Sequence, residues 1–238
     1  MASISEKAQL MPASAIRKLV PFADAAKKQG VKVYHLNLGQ PDIKSPACAL
    51  DAVRNFSQEN VSYSHSAGLM ELRKGLVEKY YKKIGIDLTV DELIVTVAGS
   101  ESVNLALEIA CNPGDEVIVL EPFYTNYNTF AFMNGLTLKA IPTDIRNGFQ
   151  IPPIEEFEKA ITEKTKAILV CNPGNPTGTQ YSKESMLALG EIARRHDLFL
   201  LSDEVYREFC YTDEPHFSAM NIPGLEQNVI LIDSVSKR

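Results

Sequence analysis

The sequence predicts an α/β fold, a mostly parallel sheet with helices on both faces, stacked as three α/β/α layers. Three observations predict it. From about Leu93 onward, short β-rich runs alternate with helical patterns, as parallel strands joined by crossover helices require. The strand runs are apolar without polar alternation, so both faces of the sheet should be covered. Chemistry-bearing residues recur just past the strand ends, where open α/β sheets bind their ligands.

The elements follow in order. Residues from Met1 to about Val33 read as an arm with one helix near Ala15 to Gln29, and Pro12, Pro21, Gly39-Gln40-Pro41-Asp42 and Pro46 punctuate the region. Asp51 to Phe56 and Leu69 to Lys82 read as helices. Leu93 to Val97 reads as a strand and Ser100 to Ala110 as an amphipathic helix, and Cys111-Asn112-Pro113-Gly114-Asp115 is a turn into a strand from Glu116 to Leu120. Further strands are expected at Leu136 to Ile141, Lys166 to Val170, Leu198 to Leu201 and Val229 to Ile232. Helices are expected near Thr125 to Met133, Ile154 to Ile161 and Ser182 to Arg195. No internal repeat or low-complexity tract interrupts the pattern.

With 238 residues, 45% hydrophobic and 23% charged, the chain has the material for a substantial core. A formal charge of −6, with Lys and Arg scattered, argues against a nucleic-acid partner. No apolar run approaches a bilayer span, and Glu6 and Lys7 stand where a secretory signal needs apolar residues, so a cytoplasmic protein is expected. Cys48, Cys111, Cys171 and Cys210 form no Cys-x-x-Cys pair, and His35, His65, His196 and His216 lack ligand spacing, so neither a disulfide framework nor a metal site is expected.

The strand ends carry the functional signal. Gly99-Ser100-Glu101 follows one strand, Glu121-Pro122-Phe123-Tyr124 the next, then Asn172 to Gly178, then Ser202-Asp203-Glu204-Val205-Tyr206, and last Ser234-Val235-Ser236-Lys237. A lysine beside two hydroxyls at a strand end suits an amine that condenses with an aldehyde cofactor whose phosphate the hydroxyls hold. Together with Gly39-Gln40-Pro41-Asp42, Tyr63, Gly68 and Leu72-Arg73, and above all Asn172-Pro173-Gly174-Asn175-Pro176-Thr177-Gly178, the chain resembles the fold type I pyridoxal-phosphate enzymes, specifically class I/II aminotransferases of the aspartate aminotransferase family. The matched features run in family order along nearly the whole chain.

The resemblance implies a role for each position. Lys237 would form the Schiff base with pyridoxal 5'-phosphate and, once freed, carry the proton from the substrate α-carbon. Asp203 would pair with the pyridine nitrogen, and Tyr206 and Asn175 would hydrogen-bond the phenolic oxygen. Asn175 is also good turn chemistry, and both readings hold at once. Tyr124 would stack on the pyridine ring, with Phe123 as the neighbour able to take its place. Gly99, Ser100 and Glu101 would cradle the phosphate through main-chain N–H groups, the Glu101 carboxylate turning to solvent, and Ser234 and Ser236 would add hydroxyl donors. Tyr63 would reach the phosphate of the neighbouring subunit, which implies a homodimer with shared sites. Gly39 would offer a backbone N–H to the substrate carboxylate, with Asn175 as a second substrate contact.

The implied activity moves an amino group from an L-amino acid, aspartate being the family's commonest donor, to a 2-oxo acid. A C–S lyase or a decarboxylase of the same fold uses nearly the same cofactor contacts, and a non-catalytic aminotransferase-like effector-binding domain is the alternative of another class. The family continues well past its lysine and carries two functional arginines there, so the sequence reads as a piece of a longer aminotransferase with weak or no activity alone. The expected division is an arm and small-domain portion over residues 1–45 and a large cofactor-binding domain over 46–238.

Overall fold

Five apolar runs pair into one all-parallel sheet in the computed structural model, which describes residues 2–12, 14, 16–37, 39 and 41–238. The helices in chain order are α1 (Glu6–Leu10), α2 (Val20–Lys28), α3 (Ala47–Arg54), α4 (Met70–Lys79), α5 (Gly99–Ala110), α6 (Asn126–Met133), α7 (Ile154–Ala160) and α8 (Lys183–Arg195). The strands are β1 (Glu116–Glu121), β2 (Thr137–Pro142), β3 (Thr165–Cys171), β4 (Phe199–Asp203) and β5 (Val229–Ile232), in the spatial order β2-β1-β3-β4-β5.

The lack of polar alternation in the strands has the predicted consequence. Ile118, Ile168 and Leu200 point to one face and pack with Phe157 of α7 and Met186, Leu189 and Ile192 of α8. Val117, Val119, Leu169 and Leu201 point to the other and pack with Val103 and Leu107 of α5 and Tyr127 and Ala131 of α6. Successive strand residues face opposite sides, so each strand feeds both cores. The three α/β/α layers are those expected from the sequence. Their helices carry local stop and start signals: the Ser182 hydroxyl accepts the Ser185 N–H at the start of α8, and Arg194 and Arg195 sit in its last turn.

The chain divides into two compact units, Ala13–Ser66, and Met1–Pro12 with Ala67–Arg238. The first holds α2 and α3, neither of which buries a residue. The expected arm helix is there a 3-10 turn, Arg17–Leu19, running into α2, with Ala15 outside the described residues. α3 begins directly after Pro46, ahead of the expected Asp51. The second unit holds the sheet. In it α1 was not foreseen, and it reaches the end of α6 through Lys7 Nζ, which donates to the Met133 carbonyl at 2.6 Å.

Two elements need correction. Leu93 to Val97 is extended, with Leu93 at φ −120° and ψ 124°, yet it is not a strand. β-rich composition selects extended backbone, but a strand exists only where a ladder partner lies alongside, and β5 pairs with β4 alone. The segment is instead tethered by the Val95 N–H, which donates to the Ala67 carbonyl at 3.0 Å beside Gly68. Gly68 has φ +97°, and a Cβ there would lie 2.6 Å from that of Val95, so no other residue fits without displacement. The helix expected from Leu69 to Lys82 ends at Lys79 and tightens into a 3-10 turn, Tyr81–Ile84, which directs the Tyr81 side chain into the interior. No helix among the described residues is long and apolar enough to cross a membrane.

Candidate active site

Strand register gathers the site. Cys171 pairs with Asp203 and Asp203 with Ile232, so β3, β4 and β5 end in one row. The residues that follow each strand therefore leave the sheet at the same edge, although they are far apart in sequence. Backbone bonds continue the row: the Asn172 N–H donates to the Asp203 carbonyl and the Glu204 N–H to the Ile232 carbonyl, each at 2.9 Å. Asn172 is fully buried and accepts the Tyr181 N–H on Oδ1, which closes the Asn172–Gly178 loop onto the start of α8. Within that loop a Cβ on Gly174 would lie 2.6 Å from Thr177 Oγ1, so the tight turn requires glycine.

Asp203 is the chemical centre of this edge. The residue is only 6% exposed. Oδ2 accepts the Tyr127 hydroxyl at 2.6 Å and Oδ1 the Val205 N–H at 3.4 Å. Burial pushes its pKa above the ordinary carboxylate value, while the Tyr127 bond pulls it back and nearby Glu204 and Asp233 push it up further. Among the described residues no cationic side chain pairs with it. A buried carboxylate without a cation is costly, so the site favours a cationic hydrogen-bond donor there.

Around Asp203 the structure brings several of the predicted residues together. Asn175 Nδ2 donates to the Tyr206 hydroxyl at 3.5 Å, and Lys237 Nζ lies 5.7 Å from the centroid of the Tyr206 ring. The Tyr206 hydroxyl is pushed up, chiefly by burial. Tyr124 sets its ring edge-on to Tyr127 at 5.5 Å and 89°, and its hydroxyl accepts Nδ2 of Asn126 at 2.8 Å. Phe123, the alternative to Tyr124, stacks on the same Tyr127 at 6.3 Å and 15°.

The start of α5 faces the last loop. A Cβ on Gly99 would stand 3.5 Å from Cβ of Ser234 and 3.5 Å from Cγ1 of Val205, ordinary contact distances. The Ser234 hydroxyl accepts the Ser236 N–H at 3.1 Å and donates to the Ser236 hydroxyl at 2.9 Å. Ser100 is exposed in the first turn of α5. Glu101 is exposed, as expected, and its carboxylate also accepts the Val97 N–H at 2.6 Å, while its own N–H donates to the Ala98 carbonyl at 3.0 Å. That carboxylate thus ties the third residue of the helix to Val97, the residue before the N-cap Ala98.

Gly39 and Tyr63 belong to the Ala13–Ser66 unit, and the Tyr63 side chain is fully exposed. Gln40 lies outside the described residues. Tyr127, which directly contacts Asp203, was missed in the sequence.

The family profile described as aminotransferase class I and II matches residues 31–238. The chain is 37% identical over 219 residues to an aspartate/prephenate aminotransferase of Thermus thermophilus, covering 92% of this chain and 56% of that protein. It superposes on the structure of the Thermus thermophilus aspartate aminotransferase with maleate at a TM-score of 0.88 and 35% identity, covering 98% of this chain and 60% of that one. An alanine aminotransferase from Pyrococcus furiosus gives a TM-score of 0.87 at 33% identity over 97% of this chain and 59% of its own. The chain thus spans less than two thirds of the length of these relatives. On the profile match and these likenesses, the chain belongs to the class I and II aminotransferase family.

Proposed function

We propose that this chain carries the cofactor-binding part of a pyridoxal-phosphate-dependent aminotransferase that moves an amino group from an L-amino acid, aspartate in the first instance, to a 2-oxo acid. The observation that carries the reading is the buried Asp203 carboxylate, without a cation among the described residues, at the strand edge that also holds Tyr206, Asn175 and Lys237. The donor set fits the cofactor group by group. A protonated pyridine nitrogen is the cationic donor Asp203 lacks, and Asn175 and Tyr206 supply donors for a phenolic oxygen. The first turn of α5 at Gly99, Ser100 and Glu101, with the Ser234 and Ser236 hydroxyls, offers a phosphate seat, beside which the Glu101 carboxylate is held on the Val97 N–H.

When bound, the cofactor supplies a ring that accepts the electron pair released at the substrate α-carbon. The chain's residues do the rest. Lys237 Nζ would take the proton from that carbon and hold it for return later in the transfer. Asp203 would keep the proton on the pyridine nitrogen, and Tyr127 holds Asp203. Tyr206 and Asn175 would stabilise negative charge on the phenolic oxygen, and Tyr124 would cover one face of the ring. Gly39 and Asn175 would orient the substrate carboxylate.

The reading extends to a cytoplasmic homodimer in which Tyr63 reaches the phosphate of the partner subunit's cofactor, and to residues 46–238 as part of the large domain. The test uses the gene product that carries this sequence. Pyridoxal phosphate should give an absorption band that borohydride removes, with the label on Lys237, and Lys237→Ala should abolish both. Amino donors paired with oxo-acid acceptors then separate transamination from lyase or decarboxylase chemistry, since only transamination requires the acceptor. No label at Lys237, or turnover that ignores the acceptor, defeats the proposal.

A further inference from the structure

The loop that bears Lys237 is tied down by Asp233. Asp233 directly follows β5, and its side chain gathers donors from three segments. Oδ1 accepts the Ser234 N–H at 2.7 Å and Nη2 of Arg238 at 2.6 Å. Oδ2 accepts the Tyr81 hydroxyl at 2.9 Å and lies 3.5 Å from Nη2 of Arg207. Arg238 makes two further contacts: its Nε lies 2.7 Å from Oε2 of Glu208, and its guanidinium stands 4.7 Å from the centroid of the Tyr80 ring. The Tyr80 hydroxyl donates in turn to the other oxygen of Glu208 at 2.5 Å.

The stretch from Ser234 to Arg238 is therefore closed at both ends on one oxygen of Asp233, with the 3-10 turn Val235–Lys237 between them. Arg238 then fastens that ring to Glu208, two residues past Tyr206, and to the end of the helical stretch carrying Tyr80. Lys237 is the residue whose amine needs a fixed origin. Its neighbour on the chain supplies one, while Nζ itself makes no hydrogen bond among the described residues and reaches toward Tyr206. A planar guanidinium suits this task because separate nitrogens serve Asp233 and Glu208 while the flat face covers a ring; a lysine ammonium offers a point charge alone.

We infer that Arg238 is a positioning residue for Lys237: through Asp233, Glu208 and Tyr80 it fixes where the backbone presents the amine against Tyr206 and Asp203. The role of the amine rests on the functional reading above, whereas the clamp is a property of the chain without cofactor. Two measurements on the full gene product separate them. In the first, amide hydrogen exchange over residues 234–238 is followed without cofactor in wild type, Arg238→Met, Arg238→Lys and Arg146→Met. Arg146 pairs with Asp144 on an exposed turn and serves as the control for losing a surface ion pair. In the second, the rate of pyridoxal phosphate incorporation at Lys237 is read by borohydride trapping and peptide mass.

Arg238→Met should raise exchange in this stretch and slow incorporation by about tenfold or more, since a misplacement of 1 Å can cost on the order of a hundredfold in rate. Arg238→Lys should recover part of both effects, and Arg146→Met should match wild type in both. Unchanged exchange in Arg238→Met overturns the clamp, whether or not cofactor binds. Faster exchange with incorporation at the wild-type rate overturns the positioning role. A wild-type protein that takes up no pyridoxal phosphate sinks the functional reading alone, and the exchange measurement then upholds or overturns the clamp by itself.

Discussion

Removing the hydroxyl of Tyr127 tests the electrostatics of the site without needing substrate or cofactor. Tyr127→Phe keeps the ring packed among Phe123, Tyr124 and the α5–α6 core and deletes the 2.6 Å bond to Asp203, together with the hydroxyl's weaker interaction with Cys171. Both groups are buried, so water does not replace the lost donor. A hydrogen bond to a charged group contributes about 1.5–3 kcal/mol, and a neutral one about 0.5–1.5 kcal/mol. The loss in stability should therefore be about 1.5–3 kcal/mol where Asp203 is ionised, and smaller where it is protonated.

The pH dependence has a definite sign. Asp203 holds its proton more tightly in the folded chain than its ordinary value of 3.8, so between the two the folded state binds more protons and stability falls as pH rises. The Tyr127 bond lowers that raised pKa, so its removal raises it further and extends the falling region upward in pH. Urea unfolding of both proteins from acid to neutral pH reads this directly. The gap between them should widen toward neutrality. A gap that is constant with pH, or within about 0.5 kcal/mol of zero at neutral pH as for an ordinary surface change, would refute the reasoning.

Three further changes have equally definite outcomes. Glu204 is fully buried and accepts from Ser202, Ser218, His216 and the Ala219 N–H, with Arg207 at 3.4 Å, so Glu204→Gln leaves a buried guanidinium undercompensated and should cost about 3–5 kcal/mol in urea unfolding. A Cβ on Gly190 would meet Cγ2 of Ile222 at 2.6 Å and Cδ1 of Leu225 at 2.9 Å, so Gly190→Ala should lower stability by about 1–3 kcal/mol; a neutral result would show that α8 can shift away from the 219–225 segment freely. Thiol labelling of the folded protein should modify exposed Cys48 first and leave Cys111 and Cys171 unmodified until urea is added, because both are raised by burial, Cys111 to about 11. Mass spectrometry of the peptides decides the order.

The sheet was legible because its cause is local. A parallel strand covered on both faces must be apolar along its buried length, and Val117 to Leu120, Ala167 to Val170 and Val229 to Ile232 meet that condition. Leu93 to Val97 meets it too, and shows the limit of the argument. Composition reports what a segment prefers, whereas a strand also needs a neighbour, and neighbours are a property of the whole fold. Tyr127 was hidden for the opposite reason. In sequence it is one more aromatic in an apolar helix, indistinguishable from core filler until the register of β4 brings Asp203 to its hydroxyl.

Asp233 and Arg238 were harder still, because what they do depends on Tyr80, Tyr81, Arg207 and Glu208, which come from two other segments. The legible residues are those whose own chemistry suits a ligand: a lysine amine, a strand-end carboxylate, a glycine-opened helix. The residues that hold them in place look ordinary one at a time. Parallel pairing is what links the two sets, since it ends β3, β4 and β5 in one row and leaves the loops beyond them free to differ in length and sequence. A substitution that shifted β5 by one residue against β4 would turn its side chains to the opposite face and move Asp233, Ser234 and Lys237 away from Asp203 together. The precision of the site is therefore set first by register, and only then by the side chains that register delivers.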